Sequence, residues 1–413
     1  MSLQALDLRL ERHAERPVAV ALSGGGDSLA LLLLATRWAQ RNSRRLLALT
    51  VDHGLNPDSS RWTAEAGAAA VRLGVDWRPL CWTGAKPATG LPAAARRARH
   101  ALLAEAARAA GAYVLLMGHT ADDVAESALI RRDTPTHGRL EAWAPSPVWP
   151  EGRGVFLLRP LLQMRREALQ GALREAGLSW LEDPANADPR FARTRARAAL
   201  AKGEGGDLEP TPHGEPSRDE IRMDATGRVE LSRATSADGI AKALLCASGR
   251  EHPPAGDAVR RLAQRLAAGE GFRATLGGAK VLADGDKAVV VRDAGERVRG
   301  GLQPLALSPG RPTVFDGRFE VRTDVAGLQV HALVGLAGRL SAVDAAQLKR
   351  LPASVRPSLP VLLDSGGNPS LPAPFGTGAG HAIALGPRRL NAACGHIHGE
   401  MDAARDAIAW TSA

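Results

Sequence analysis

Six residues with chemical potential stand together near the amino terminus: positions 23–28 read SGGGDS, between the apolar runs VAVAL (18–22) and LALLLLA (29–35). Glycines between a strand and a helix let backbone N–H groups converge on one point, where the helix dipole adds positive partial charge. Such a turn suits phosphate or pyrophosphate. Asp27 fits an anion site only if a magnesium ion stands between its carboxylate and the phosphates. The predicted phosphate ligands are Ser23, Gly24, Gly25, Gly26, Asp27 and Ser28, and Asp27 is also the predicted metal ligand and a catalytic residue.

This glycine turn (residues 23–28) differs from two familiar nucleotide loops. It lacks the Gly-Lys-Ser or Gly-Lys-Thr of a Walker A loop and the Gly-x-Gly-x-x-Gly spacing of a dinucleotide fold. A purely structural alternative is a turn whose glycines only permit a strand to pack closely against a helix.

A pair of carboxylates lies further along, within GHTADDVAES (118–127). Residues three apart on a helix share a face, so Asp123 and Glu126 can hold one ammonium group together. One of these carboxylates is also a candidate base for taking a proton from that amine. The alternative is that acidic residues in a first helical turn only complement the helix dipole.

Three more polar residues follow predicted strands, where ligands bind in open α/β sheets. His119 is a candidate contact to a nucleotide or a reacting base, or equally a structural histidine. Asp52 and His53 are candidates for the vicinity of an adenosine, or equally for a role in capping a turn.

Arginines are the candidates for holding phosphates, because their planar fork suits bidentate contacts. A solvated helix face is the alternative for each of them. The set comprises Arg96, Arg97, Arg99, Arg131, Arg193, Arg195 and Arg197, of which Arg97, Arg131 and Arg195 are preferred.

The first 130 residues alternate apolar runs with longer amphipathic ones, which predicts βαβ units and an α/β fold: a parallel sheet with helices on both faces. Predicted strands cover 18–22, 46–51, 75–80, 113–117 and 156–162, and predicted helices cover 28–40, 59–73, 91–110, 121–132 and 165–177. Residues 133–155, rich in proline, glycine and tryptophan, are typical of a long loop. Past 220 we predict helix over 239–269, β-hairpins over 272–293 and short strands beyond 300.

Four segments are predicted from these patterns. They are a catalytic domain at 1–200, a linker at 201–222, an α+β domain at 223–298 and a mostly-β domain at 299–413. The linker is predicted because residues 202–220 have almost no apolar content.

Composition limits the function classes. The 413 residues carry 53 basic and 44 acidic side chains, and the resulting net charge of +9 suits a nucleic-acid partner. Only six of the basic residues are lysine, so part of the arginine content is also consistent with codon bias. The three cysteines form no Cys-x-x-Cys pair, which argues against a disulfide framework, a zinc site or a redox dithiol. With no signal-peptide pattern and no apolar run of membrane length, we expect a cytoplasmic protein with no membrane partner.

Sequence blocks in order carry a family resemblance. SGGGDS resembles the SGGxDS signature of the PP-loop ATP pyrophosphatases, which cleave ATP between its α- and β-phosphates to adenylate a substrate. Among them, the chain resembles the tRNA(Ile)-lysidine synthetases over roughly 18–200, and weakly at TLGGAKV (275–281). The blocks are VDHGL (51–55), LPAAARRARHALL (91–103), GHTADDVAES (118–127), LLRPLL (157–162) and WLEDPANADPRFARTRAR (180–197).

The resemblance implies a fold like that of the adenine nucleotide α hydrolases and a ligase that uses ATP and Mg²⁺. Its implied partners are L-lysine and the isoleucine tRNA with a CAU anticodon, whose wobble cytidine is adenylated at the carbonyl of position 2 and then receives lysine. It assigns lysine recognition to Asp123 and Glu126, and tRNA grip to residues 222–293. Asp183 and Asn186 are predicted turn formers.

One block departs from the family pattern. Residues 131–154 replace a glycine-rich segment, although Arg131, Arg132, Trp143 and Trp149 there can still steer or stack on RNA. The alternatives are another PP-loop enzyme, of the NAD- or GMP-synthetase type or a tRNA thiolase, and a non-catalytic RNA-binding protein. Thiolases of the two-cysteine type are disfavoured because paired cysteines are missing.

Overall fold

The computed structural model describes residues 4–133, 139–182, 192–202 and 219–408. The chain divides into two compact units, a first unit of residues 1–214 with 397–413 and a second unit of residues 215–396. In the described part of the chain, no helix is both long enough and apolar enough to cross a bilayer.

The first unit is built on one sheet with the strand order β3-β2-β1-β4-β6-β5. Its strands are β1 (Val18–Ala21), β2 (Leu46–Asp52), β3 (Asp76–Cys81), β4 (Val114–Leu116), β5 (Trp143–Pro145) and β6 (Phe156–Leu158). Neighbouring strands pair in parallel, apart from β5, which runs antiparallel to β6. Strands β1, β4 and β6 are almost wholly buried, which is why each is a continuous apolar run rather than an alternating one.

Helices precede, connect and follow these strands. They are α1 (Gln4–Arg9), α2 (Gly26–Arg41), α3 (Ser59–Arg72), α4 (Leu91–Ala109), α5 (Ala121–Asp133), α6 (Arg166–Glu175) and α7 (Ala192–Ala201). From β3, at one edge, the chain crosses to β4 on the other side of β1, so the strand order reverses between β1 and β4. In open α/β sheets such a switch point leaves a crevice at the carboxyl ends of the strands, where ligands bind.

The second unit holds, in its described residues, one five-stranded and two four-stranded sheets. The first has the order β7-β8-β11-β10-β9 and shares an apolar core with α8 and α9. The other two share a second core around Phe315 and Phe319. The elements are β7 (Ile221–Met223), β8 (Val229–Ser232), α8 (Ala237–Ser248), α9 (Gly256–Ala267), β9 (Phe272–Leu276), β10 (Ala279–Asp284), β11 (Lys287–Arg292), β12 (Leu305–Ala306), β13 (Thr313–Phe315), β14 (Phe319–Arg322), β15 (Gln329–Ala332), α10 (Ala342–Arg350), β16 (Pro360–Leu363), β17 (Pro369–Ser370), β18 (Pro372–Ala373), β19 (Gly378–Ala384) and α11 (Gly386–Ala393).

Helix α12 (Glu400–Ile408) belongs to the first unit. The buried carboxylate of Glu400 accepts hydrogen bonds from both Nη atoms of Arg44, at 2.9 and 2.8 Å, and from Nε of Arg16 at 3.1 Å. The backbone N–H of Glu11 donates to the same carboxylate at 2.9 Å. Arg44 lies just past the end of α2, so the last helix is bonded to the segment that follows the helix beginning at the glycine turn.

The predicted α/β fold is confirmed, and most of its elements are correct to within two residues. The strand predicted over 156–162 is too long: it ends at Leu158, shortly before Pro160, which has no N–H to donate. The loop predicted over 133–155 contains strand β5, which is too short and too proline-rich to show a period; residues 134–138 lie outside the described residues. The helix predicted over 239–269 is two helices, because Gly249 ends α8 with a φ of +70°.

Candidate active site

The glycine turn follows β1 and begins α2, with Gly25 as the N-cap residue. Gly24 has a φ of +85°, which a residue with a Cβ rarely adopts. A Cβ there would also lie 2.6 Å from Cδ1 of Leu181, and one on Gly26 would lie 3.4 Å from the ring of Trp180. Glycine is therefore required at position 24 by the backbone shape, and the segment Trp180–Leu181 lies directly over the turn.

The two serine hydroxyls bond to the turn itself. Oγ of Ser28 accepts from the backbone N–H of Ser23 at 3.1 Å and donates to the carbonyl of Gly25 at 2.9 Å. The two hydroxyl oxygens are 3.0 Å apart. These bonds hold both ends of the turn together around the first residues of α2.

Asp27 lies on the first turn of α2 and carries an oxygen that lacks a partner. Its Oδ2 accepts from Nε of Arg166 at 2.9 Å, whereas Oδ1 is buried and has no hydrogen-bond partner. Burial raises the pKa of Asp27 above its ordinary value, and the nearby carboxylates of Asp123 and Asp122 add to this, against the opposing effect of Arg166. A buried carboxylate oxygen with a free lone pair is a fitting ligand for a magnesium ion.

Asp123 uses its two oxygens differently. Oδ2 accepts from the backbone N–H of Thr120 at 2.8 Å and from its hydroxyl at 3.0 Å, which forms a capping box at the start of α5. Oδ1 instead lies 3.8 Å from Arg166 and 3.9 Å from Arg193. Asp123 thus does help to cap α5, but only one of its two carboxylate oxygens takes part in the cap.

Glu126 is 1% exposed and lies one turn along α5. Its Oε1 accepts from Nε of Arg197 at 2.9 Å and lies 3.6 Å from Arg166, while Oε2 is buried without a hydrogen-bond partner. A carboxylate held this deep requires cationic partners.

Arg166 contacts all three of these carboxylates, and it is the site residue that the sequence did not reveal. It is the first residue of α6, and its backbone N–H donates to Oδ2 of Asp122 at 2.8 Å, so the starts of α5 and α6 are bonded together. The positive end of a helix dipole disfavours a cation at this position. Arg165 and Arg166 stand at the start of a predicted helix, where cations are unfavourable. This placement was the sequence feature that could have indicated acidic partners nearby.

Gly118 brings the end of β4 against the glycine turn. A Cβ at this position would lie 3.0 Å from the carbonyl oxygen of Asp27 and from Cα of Ser28. The segment that carries His119 and Asp123 is thus in direct contact with the segment that carries Asp27, as expected at the switch point.

His119 and His100 are buried in a cationic environment. His119 is 9% exposed with no partner for Nδ1, and His100 is 2% exposed with no partner for either ring nitrogen. Burial, together with nearby arginines, lowers the pKa of His119 well below its usual value and that of His100 to about 3. Both rings are therefore neutral near pH 7.

The arginines of this cluster act on one another. Burial, with Arg96 and Arg193 nearby, lowers the pKa of Arg99 to about 10. Burial and Arg96 likewise lower the pKa of Arg159 to about 10, although Glu141 opposes them. Arg159 donates from Nη1 to the carbonyl of Glu141 at 2.6 Å. Several guanidinium groups crowded together in this way are suited to bind an anion such as phosphate.

Asp52 and His53 lie at the end of β2. The carboxylate of Asp52 accepts from the backbone N–H of Gly54 at 2.8 Å and from Oγ of Ser60 at 3.1 Å, so Asp52 caps a turn. Burial alone raises its pKa, but these hydrogen bonds outweigh it and lower the value. His53 packs edge-on against Trp82, with ring centroids 6.2 Å apart. A contact from either residue to adenosine stays a prediction.

The preferred arginines lie on three helices. Arg97, on α4, is exposed and 3.4 Å from a carboxylate oxygen of Glu151. Arg131, on α5, donates to Oγ of Ser127 at 3.1 Å, and Arg195 is exposed on α7. Their phosphate contacts stay predictions, and it is Arg99, not Arg97, that lies in the cationic cluster.

Two further predictions concern this region. Trp143 is wrong as a base-stacking residue, because it is buried, stacks on Phe156 at 4.9 Å and donates from its indole N–H to the carbonyl of Ile397. Asp183 and Asn186 lie outside the described residues.

Among the residues that the structure does describe, no group of three or more metal-ligating side chains occurs. Any divalent ion bound here would therefore depend on ligands such as nucleotide phosphates besides Asp27.

Comparison with known proteins agrees with this geometry. Residues 3–204 match the model of the PP-loop domain. The tRNA(Ile)-lysidine synthase of Caulobacter vibrioides is 52% identical over 369 residues, which cover 88% of this chain and 88% of the relative. The chain belongs to the tRNA(Ile)-lysidine synthase family. The synthases of Hyphomonas neptunium and Mesorhizobium japonicum are 40% and 36% identical, over 68% and 89% of this chain and 82% and 87% of theirs.

Membership of the lysidine synthase family confirms the resemblance, which extends further along the chain than the predicted 18–200. The match to the Caulobacter synthase extends well past the PP-loop domain, so it includes much of the second unit, where the sequence motifs alone are weak. The described members of the family blocks meet at the switch point: the glycine turn, the 118–127 segment, Arg159 and the Trp180–Leu181 segment are all contributed by the first unit.

Proposed function

We propose that this chain joins lysine to the wobble cytidine of the isoleucine tRNA that carries a CAU anticodon. In the first step the carbonyl oxygen at position 2 of the base attacks the α-phosphorus of ATP, and pyrophosphate leaves. In the second step the ε-amine of lysine attacks C2, AMP leaves with the carbonyl oxygen, and the amine loses a proton. The product is lysidine.

One observation carries the proposal beyond family membership. A single guanidinium, that of Arg166, lies 2.9 Å from Asp27, 3.8 Å from Asp123 and 3.6 Å from Glu126. The phosphate-binding turn and the acidic pair therefore border one cation-binding space. An ATP molecule on the turn and an ammonium group on the acidic pair would be neighbours, as the two-step reaction requires.

The residues of the site then have distinct roles. The turn of residues 23–28, at the start of α2, would hold the departing pyrophosphate. Asp27 would hold Mg²⁺, which neutralises charge on the phosphates when it is bound. Asp123, through Oδ1, and Glu126 would hold the lysine ammonium. Glu126 would accept the proton, which its unpartnered Oε2 supports.

The cationic groups of the first unit would bind the tRNA. His119, which is neutral, would exchange hydrogen bonds with the base without adding charge, and Arg96 and Arg99 would hold phosphate oxygens. Residues 223–298 would grip the tRNA body. Because the substrate is tRNA, we infer that the reaction takes place in the cytoplasm.

The proposal is tested by pyrophosphate release from ATP with each substrate omitted in turn. We expect release only when lysine and the CAU isoleucine tRNA are both present, or tRNA-dependent release that lysine strongly stimulates. Glutamine or ammonia replacing lysine would favour a synthetase of the NAD or GMP type. Binding of tRNA without any pyrophosphate would favour a non-catalytic RNA-binding protein.

A further inference from the structure

The space assigned to the lysine ammonium already holds a cation that belongs to the chain. The guanidinium of Arg166 approaches Asp123 and Glu126 at 3.8 and 3.6 Å, and its Nε is hydrogen-bonded to Asp27 at 2.9 Å. Its side chain is 24% exposed, so it fills a largely enclosed space. A guanidinium and an ammonium make the same kind of bond to a carboxylate, and they compete for it.

The carboxylates are not used up by their present partners. Oε2 of Glu126 and Oδ1 of Asp27 are buried and form no hydrogen bond. Arg166 thus balances the charge of the three acids together with Arg197, 2.9 Å from Glu126, and Arg193, 3.9 Å from Asp123, and these cations do not satisfy all the lone pairs. A lysine ammonium, with three donors on a compact head, can satisfy oxygens that the flat guanidinium leaves unbonded.

The tightest bond of Arg166 ties it to the nucleotide site. Its hydrogen bond to Asp27 is the shortest of its three carboxylate contacts, and Asp27 stands on the glycine turn. A triphosphate on that turn would bring several negative charges next to Arg166. Those charges offer the guanidinium new oxygen partners and so lower the cost of leaving Asp123 and Glu126.

We propose that Arg166 is an internal competitor that keeps lysine out of the Asp123–Glu126 site until ATP binds. This inference rests on the proposed function, because it takes lysine as the incoming cation. When ATP occupies the turn, Arg166 moves its bonds to the phosphates and lysine enters. The amine then meets its site only when an adenylating nucleotide is present, which makes lysine binding and ATP binding mutually cooperative.

The test is calorimetric titration of the full chain with lysine, with and without an ATP analogue that cannot be cleaved between its α- and β-phosphates. We expect the analogue to lower the lysine Kd of the wild type about tenfold, a common size for such coupling. Arg166→Gln removes the competitor, so it should bind lysine without nucleotide about as tightly as the wild type binds it with nucleotide, and the analogue should then have little further effect. Arg166→Lys, which keeps the charge, should retain part of the coupling.

Arg165→Gln is the matched control. Arg165 is the neighbouring residue, its side chain is 72% exposed and its distance to Asp122 is 3.8 Å. This variant should keep the wild-type coupling. Circular dichroism checks that each variant is folded; if Arg166→Gln is not, the wild-type titration alone still decides, because a lysine Kd that the analogue leaves unchanged overturns the inference.

Two outcomes separate this inference from the proposed function. Lysine-dependent pyrophosphate release with unchanged or weaker lysine binding in Arg166→Gln would overturn the competitor role and leave the reaction intact. Pyrophosphate release that ignores lysine, with no lysine binding under any condition, would overturn both.

Discussion

Replacing Glu400 by glutamine should destabilise the first unit strongly. The side chains of Glu400 and Arg44 are both 0% exposed, and Arg44 forms two hydrogen bonds with this carboxylate, at 2.8 and 2.9 Å. The Glu400→Gln variant keeps the shape but removes the negative charge, and it turns an NH₂ group toward guanidinium donors. Arg44 would then remain as a buried cation with only neutral partners, namely the remaining amide oxygen at position 400 and the carbonyls of Glu11 and Arg16.

The size of the loss follows from this geometry. Removing one member of a buried ion pair costs about 3–5 kcal/mol, because the remaining charge stays desolvated. For a unit of this size each kcal/mol lowers Tm by roughly 2–4 °C, so the expected fall is roughly 6–20 °C. The measurement is thermal unfolding by circular dichroism, together with urea unfolding of the same samples.

Two controls identify the mechanism. Asp76→Asn breaks the ion pair of Asp76 with Arg45, whose side chains are 70% and 71% exposed, and should cost at most about 1 kcal/mol. The double variant Arg44→Met/Glu400→Met removes both charges and should be more stable than Glu400→Gln. A Glu400→Gln variant as stable as Asp76→Asn, or a double variant that is less stable than the single one, would refute this reasoning.

Four further predictions concern the site. Asp123→Asn keeps the oxygen that accepts from Thr120, so the variant should fold. It should raise the lysine KM roughly tenfold or more, while the ATP KM stays within about twofold; equal changes in both KM values would contradict the lysine role. Gly118→Ala places a Cβ 3.0 Å from the backbone of Asp27 and Ser28 and should lower kcat about tenfold or more. The control Gly171→Ala, whose Cβ would have nothing within 4 Å, should leave kcat unchanged, and equal kcat values in the two variants would argue against contact between the end of β4 and the glycine turn. Burial and nearby arginines lower the pKa of His100 to about 3, so below about pH 6.5 the unfolded chain binds a proton that the folded chain does not, and the folded state loses stability as the pH falls. His100→Leu should reduce this loss by about 1.4 kcal/mol between about pH 5.5 and about pH 4.5, measured by urea unfolding. An unchanged pH dependence of the unfolding free energy would mean that His100 is protonated when folded. Raising salt from about 50 to about 200 mM should weaken tRNA binding by orders of magnitude in a filter-binding assay if the arginines neutralise backbone phosphates, and a flat salt dependence would exclude that role.

The sheet of the first unit was predictable because each of its buried strands and connecting helices has a recognisable pattern within its own stretch of sequence. Buried parallel strands such as β1 and β4 are continuous apolar runs, and the helices between them are long enough to show a period. Strand β5 was not predictable, since three residues that end in proline carry no period and gain their partner only from β6.

The acidic pair and the glycine turn were visible in the sequence, but their surroundings were not. Arg166 has carboxylate partners on two other helices, 40 to 139 residues away along the chain, and only folding brings them together. The same holds for Glu400 and Arg44, which are 356 residues apart. By contrast, the capping role of Asp123 is local, since threonine three residues before an acidic residue is a capping-box pattern.

The most direct test of the account is a crystal structure of the chain with lysine and the uncleavable ATP analogue. We expect the β- and γ-phosphates to lie against residues 23–28 and the lysine ammonium to contact Asp123 and Glu126. Phosphates bound elsewhere, with this turn and the acidic pair both making only the contacts described above, would contradict it.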